Sequence, residues 1–130
     1  MATWDLSETK HHLLICNGSS CNKAGAEELT QSVRNEVANL GLDEKIHTTR
    51  TKCNGRCQDR CVLIVYPEGI WYKDLKPEDA NQLIASLITD DSLFEKVSHR
   101  FNGESFIRQP EVPVGECKGR ERVKKVSKVF

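Results

Sequence analysis

The sequence predicts an α/β fold: a four-stranded mixed sheet flanked by helices, in the order β-α-β-β-β-α. Three observations predict it. Short apolar or β-branched runs recur at residues 11–15, 46–51, 62–66 and 70–72. Apolar residues spaced three and four apart, the signature of a helix face, fill the gap between the first two runs and follow the last. The Pro67-Glu-Gly69 turn joins the third and fourth runs tightly enough to make them an antiparallel pair.

Residues 1–10 are polar and predict a loose start. Residues 11–15 end in Leu-Leu-Ile, a buried strand running straight into Cys16. Ala26, Leu29, Val33, Val37 and Leu40 then line one helix face, and Gly41 is placed to end that helix. The stretch 46–51 reads as the second strand and leads into Cys53. Val62-Leu-Ile-Val-Tyr66 is apolar throughout, as a strand buried on both faces requires. Ile70-Trp-Tyr72 is its partner. Pro77 suits the first position of a helix, with Glu78 and Asp79 at its positive end and Ala80, Leu83, Ile84, Leu87 and Ile88 as its buried stripe. A short helical segment is expected at residues 93–99 and an extended linker, carrying Pro110 and Pro113, at 109–116. A helical β-α-β crossover makes the first two strands parallel and the connection right-handed. A parallel pair, an antiparallel hairpin and covering helices is the order of the thioredoxin fold.

At 130 residues the chain is long enough for a core without cysteine staples. It divides into a folded domain at 1–101 and a linker with a basic C-terminal tail at 102–130. No apolar run has the length to cross a bilayer, and the N-terminus has no charged-then-apolar secretory pattern. The expected compartment is the cytoplasm, where six cysteines act as metal ligands and free thiols rather than disulfides. The net charge of zero is unevenly spread: residues 118–130 hold six Lys or Arg and one Glu, so the first 117 carry −5 against the tail's +5. The tail lacks interleaved aromatics, and a solvated or partner-docking role is expected of it in preference to nucleic-acid binding.

Function concentrates in two cysteine pairs, Cys16-Asn-Gly-Ser-Ser-Cys21 and Cys53-Asn-Gly-Arg-Cys57. Each follows a strand, so the fold should bring all four thiolates to one end of the sheet. Cys16, Cys21, Cys53 and Cys57 then supply what a 2Fe–2S cluster needs, two thiolates for each tetrahedral iron. Gly18 and Gly55 allow tight turns that aim N–H groups at the sulfurs. Cys21 is expected just before a helix, whose dipole would help to ionise it. Lys23, Lys52, Arg56 and Arg60 surround the pairs and would favour the reduced, more negative state, or else form a solvated rim. Two other readings use the same residues. A structural zinc site also takes four thiolates. A thiol–disulfide oxidoreductase needs Cys-x-x-Cys, and the chain has none.

The Cys53–Cys57 run, followed by Val62-Leu-Ile-Val-Tyr-Pro-Glu-Gly-Ile-Trp-Tyr72, resembles the thioredoxin-like 2Fe–2S ferredoxins, with a subunit of respiratory complex I of the 24-kDa type as a more distant relative. The resemblance spans roughly residues 10–87 and includes the spacing of Cys16 and Cys21. It departs at Cys61, where the family usually carries proline, and beyond residue 101, where no counterpart is evident. It implies one 2Fe–2S cluster per chain, single-electron carriage between redox donor and acceptor proteins, no catalytic site, and a homodimer. Some stand-alone relatives accompany cobalamin biosynthesis. Cluster delivery to another protein is the alternative to electron carriage.

The remaining candidates read as structural. Cys61, four residues after Cys57, is near enough to substitute as a ligand but is expected to be a small buried thiol. Cys117 is expected to be an exposed tail thiol. His11, His12, His47 and His99 have no metal-ligand spacing, and Trp71 and Tyr72 are expected to serve packing.

Overall fold

The computed structural model describes residues 3–89 and 94–127. Its sheet is mixed and flanked by helices, as predicted, but has six strands in place of four, in the order β2-β1-β3-β4-β5-β6. Strand β1 (His11–Cys16) runs parallel to β2 (Ile46–Thr51) and antiparallel to β3 (Leu63–Tyr66), which forms the hairpin with β4 (Ile70–Tyr72). Leu63, Ile64 and Val65 are buried, because the β3 strand is flanked by neighbours and covered on its faces.

Two strands were not foreseen. The Leu93–His99 expectation of helix holds only for a 3-10 turn at Phe94–Lys96, and Leu93 lies outside the described residues. The chain then extends as β5 (Val97–Phe101) and returns as β6 (Phe106–Arg108). The edge of β4 supplies the reason: its unpaired N–H and C=O groups accept β5 as an antiparallel neighbour, with Trp71 opposite His99. Strand β6 falls within the stretch read as linker.

The loop after β1 is also more ordered than the sequence suggests. It contains a short helix, α1 (Ser19–Lys23), ahead of α2 (Ala26–Asn39). Ala26, Leu29, Val33 and Val37 of α2 are buried as the spacing predicts, whereas Leu40 at its end is exposed. Gly41 takes a left-handed φ of 67°, and the N–H of Leu42 bonds back to the Val37 carbonyl, a glycine-terminated helix end. Pro77 opens a 3-10 turn, where the Asp79 carboxylate accepts the Lys76 N–H at 2.9 Å, and α3 (Ala80–Thr89) continues from it. Leu83 and Ile84 of α3 are fully buried, and Ile88 is 59% exposed, outside the predicted stripe. Helices α2 and α3 pack on each other, and α2 lies on β1 and β2. Each fully buried Leu, Ile or Val in this layer contributes roughly 1.5–3 kcal/mol by leaving water. Within the basic tail, Arg120–Ser127 forms helix α4, with the Glu116 carboxylate 2.6 Å from Arg122 Nε. Val123, Val126 and Val129 recur three residues apart in the tail, a spacing that could form one helix face, and Val129 lies outside the described residues. No helix among the described residues is long and apolar enough to cross a membrane.

Candidate metal centre

The two parallel strands end level with each other. Cys16, the last residue of β1, is in register with Thr51, the last of β2, so the loops leaving them start side by side. Gly18 lies so close to Cys53 that a Cβ on it would fall 2.9 Å from the Cys53 Cα. Glycine is needed there for close approach, since its own φ of −63° suits any residue. Gly55 is needed for conformation: its φ is 81°, which turns its N–H onto the Cys53 sulfur at 3.3 Å.

The result is a concave site lined by Cys16, Cys21, Cys53 and Cys57, with Gly18, Ser19, Ser20 and Arg56. Cys16 and Cys21 are buried, and Cys53 and Cys57 are exposed on the outer side. The Cys53 and Cys57 sulfurs are 3.5 Å apart. The Cys16 and Cys21 side chains hydrogen-bond to each other. Among the described residues no three His, Cys, Asp or Glu side chains are grouped tightly enough around one point to hold a single ion. The sulfurs instead form two pairs, and two tetrahedral irons require that division.

Backbone N–H groups aim at three of the sulfurs. Burial pushes the Cys16 thiol up, but N–H bonds from Gly18 and Asn54 outweigh it and bring the thiol below its ordinary value. Cys53 is pulled down by the Gly55 N–H, yet burial and the neighbouring Cys57 leave it raised. For Cys21 the expectation from the helix dipole fails. It is the third residue of α1 rather than the residue before a helix, and burial pushes its free thiol up to about 12 despite an N–H bond from Val62. The same N–H groups would stabilise these sulfurs as thiolates if they held iron.

Of the four predicted basic residues, Arg56 alone lines the site. Its Nε donates to the Asp59 carboxylate at 2.7 Å, and its terminal nitrogens donate to the Pro113 and Val114 carbonyls. Lys23, Lys52 and Arg60 are exposed, and Arg60 bonds to the Cys57 carbonyl. Asp59 and the 113–114 backbone were missed. The Arg-x-x-Asp spacing after Gly55 was the available signal for Asp59.

Cys61 is buried but does not line the site; its thiol donates to the carbonyls of Cys21 and Ala24, and burial raises its pKa. Cys117 is exposed. The histidines lie elsewhere: His11 Nδ1 is 2.7 Å from Glu68 Oε2, His12 bonds to Thr49 and packs against His47, and His99 bonds to Ser98. Tyr72 is buried, and Trp71 packs edge-on against His99 and Phe106.

A family model for thioredoxin-like 2Fe–2S ferredoxins matches residues 6–88. A protein of Priestia megaterium named as a 2Fe–2S ferredoxin is 49% identical over 108 residues, 82% of this chain and 84% of its own length. A 2Fe–2S ferredoxin of Clostridium pasteurianum is 25% identical over 96 residues, covering 68% of this chain and 94% of that protein. The thioredoxin-like 2Fe–2S ferredoxin of Aquifex aeolicus superposes with a TM-score of 0.65 at 23% identity, over 81% of this chain and 99% of that one, a likeness of fold.

Proposed function

The chain belongs to the thioredoxin-like 2Fe–2S ferredoxin family, and on that premise we propose that it carries single electrons between redox proteins through a cluster held by Cys16, Cys21, Cys53 and Cys57. The observation that carries the ligand assignment is the pair of sulfur pairs at the level ends of β1 and β2, three of the sulfurs already receiving backbone N–H bonds. The bound cluster supplies one-electron exchange. The residues around it do the rest. Burial of Cys16 and Cys21 anchors and dries one side, while the exposed Cys53–Cys57 loop brings the other within reach of a partner. No proton need be moved and no substrate bound, so the family's role asks for no general acid or base.

Visible and EPR spectra of anaerobically purified protein test the cluster: a red-brown protein with a paramagnetic reduced state is expected, and a colourless zinc protein would overturn the reading. The ligand set is tested separately. Cys→Ser at 16, 21, 53 or 57 should bleach or strongly destabilise the cluster, because serine is a poor replacement for a soft thiolate, while Cys61→Ser and Cys117→Ser should leave the spectrum normal. Loss of the spectrum in Cys61→Ser, with one of the four dispensable, would reassign the ligands.

The same proposal includes a cytoplasmic location and a homodimer. Phe106 and Ile107, exposed on the edge strand β6, are a surface that pairing would cover, and sedimentation at working concentration decides it. Service to a biosynthetic pathway such as cobalamin synthesis rests on the company that some relatives keep, and no residue of the site bears on it. Cluster delivery draws on the exposure of Cys53 and Cys57; it would be favoured if the cluster left for a metal-free acceptor faster than electrons exchange.

A further inference from the structure

Residues 109–115 leave β6 and do not trail into solvent. The Gln109 N–H bonds to the Ser98 carbonyl, Val112 is 3% exposed, and Arg108 Nη1 gathers the carbonyls of Gln109, Pro110 and Val112. The strap then meets Arg56, the residue directly before Cys57. All three guanidinium nitrogens of Arg56 are engaged in different directions: Nε with Asp59, Nη1 with the Val114 carbonyl and Nη2 with the Pro113 carbonyl. The approach is close enough that a Cβ on Gly115 would fall 3.1 Å from Nη1. Asp59 is a rigid counterpart, with its side chain 3% exposed and its own N–H bonded to the Arg56 carbonyl at 2.9 Å. A planar fork can satisfy three acceptors in fixed directions, which a lysine ammonium on a flexible stem cannot do.

We propose that Arg56 is a positioning residue of the metal centre, which fixes the Cys53–Cys57 loop against buried Asp59 and fastens the 109–115 strap beside that loop as its brace. The proposal rests on the four-cysteine site. It assigns Arg56 a role that depends on shape as well as charge, and it makes a segment outside the span of the family model part of the centre. The strap braces the loop through Arg56 from outside the concave site, so that the exposed pair of cysteines keeps its spacing.

The test uses the full chain and four variants: Arg56→Lys, Arg56→Gln, Val112→Asp, which undocks the strap from its own side, and the double variant Arg56→Lys with Val112→Asp. Hydrogen exchange of the 109–115 amides in the metal-free chain is read first, and it requires no cluster. Release of iron from the reconstituted chain to a ferrous chelator is read second. Both Arg56 variants should lose protection in 109–115 and release iron roughly tenfold faster, the consequence of losing charge-assisted bonds. Val112→Asp should match them with Arg56 intact, and the double variant should be no faster than either single one, since both break the same link. Arg56→Lys behaving as the parent in both readouts would overturn the proposal, leaving a charge alone. Val112→Asp losing protection without faster release would also overturn it, because the strap would then be no brace for the loop. Failure of the four-cysteine reading looks different: the parent chain would take up no cluster, or Cys57→Ser would keep it, whatever the exchange data show.

Discussion

Asp59 holds a carboxylate 3% exposed against Arg56, which lines the proposed cluster site. Arg56 itself is 16% exposed. Burying an ion pair is weak evidence for stability, because desolvation offsets much of the attraction. The pair is better understood by its effect on charge at the centre, which becomes more negative on reduction. Arg56→Gln removes the positive member and should lower the reduction potential; Asp59→Asn removes the negative member and should raise it. Each shift is expected to be on the order of tens of millivolts, larger in low salt. Film voltammetry of the two variants checks the signs, and equal shifts in one direction would sink the account. At this scale the cysteines and glycines were legible because spacing and residue type carry their meaning. Asp59 was not: a lone carboxylate means little until its partner and its burial are known. Cys21 misled for a related reason, since the dipole argument needed the start of α1, and a five-residue helix leaves almost no periodic trace.

The elements that matter most are the two loops that the parallel strands place together, and Gly18 is the point at which they touch. Alanine there would put a methyl carbon 2.9 Å from the Cys53 Cα and 3.0 Å from its N and Cβ, and backbone cannot swing aside as a flexible side chain can. Gly18→Ala should therefore separate the loops, destabilise the metal-free chain by about 1–3 kcal/mol and speed cluster loss. Urea titration of the metal-free protein and decay of the visible spectrum check it; a variant matching the parent in both would show that the contact relaxes freely. Strands β1 to β4 and helix α2 were legible because each has its own period and its own stop, such as Gly41. Strand β5 was not. Val97-Ser-His-Arg-Phe101 is short and polar, and the open edge of β4 decides its conformation rather than its own propensity. The same holds for β6 and the strap, whose prolines read as linker although their backbone is held by Arg108 and Arg56.

Across the whole molecule the charge asymmetry is the feature that sequence alone shows fully: −5 over the first 117 residues and +5 over the last thirteen. The structure adds that Arg120–Ser127 is helical and that Arg122 pairs with Glu116, just after the strap. Removing residues 117–130 therefore takes away the basic helix while leaving Val112, Pro113, Val114 and Gly115 to contact the rest of the domain. If the helix serves to dock an acidic redox partner, the shortened chain should keep the parent's spectrum and potential. Its electron transfer to that partner should slow, because long-range attraction raises the encounter rate of complementary surfaces. The deficit should fade as salt rises, since at 0.1 M the screening length is only about 10 Å. Stopped-flow transfer rates over a salt series decide the matter. A deficit that persists at high salt would mean that the helix makes a short-range contact instead of steering. Loss of the spectrum on truncation would place residues beyond Glu116, Cys117 among them, in the centre itself.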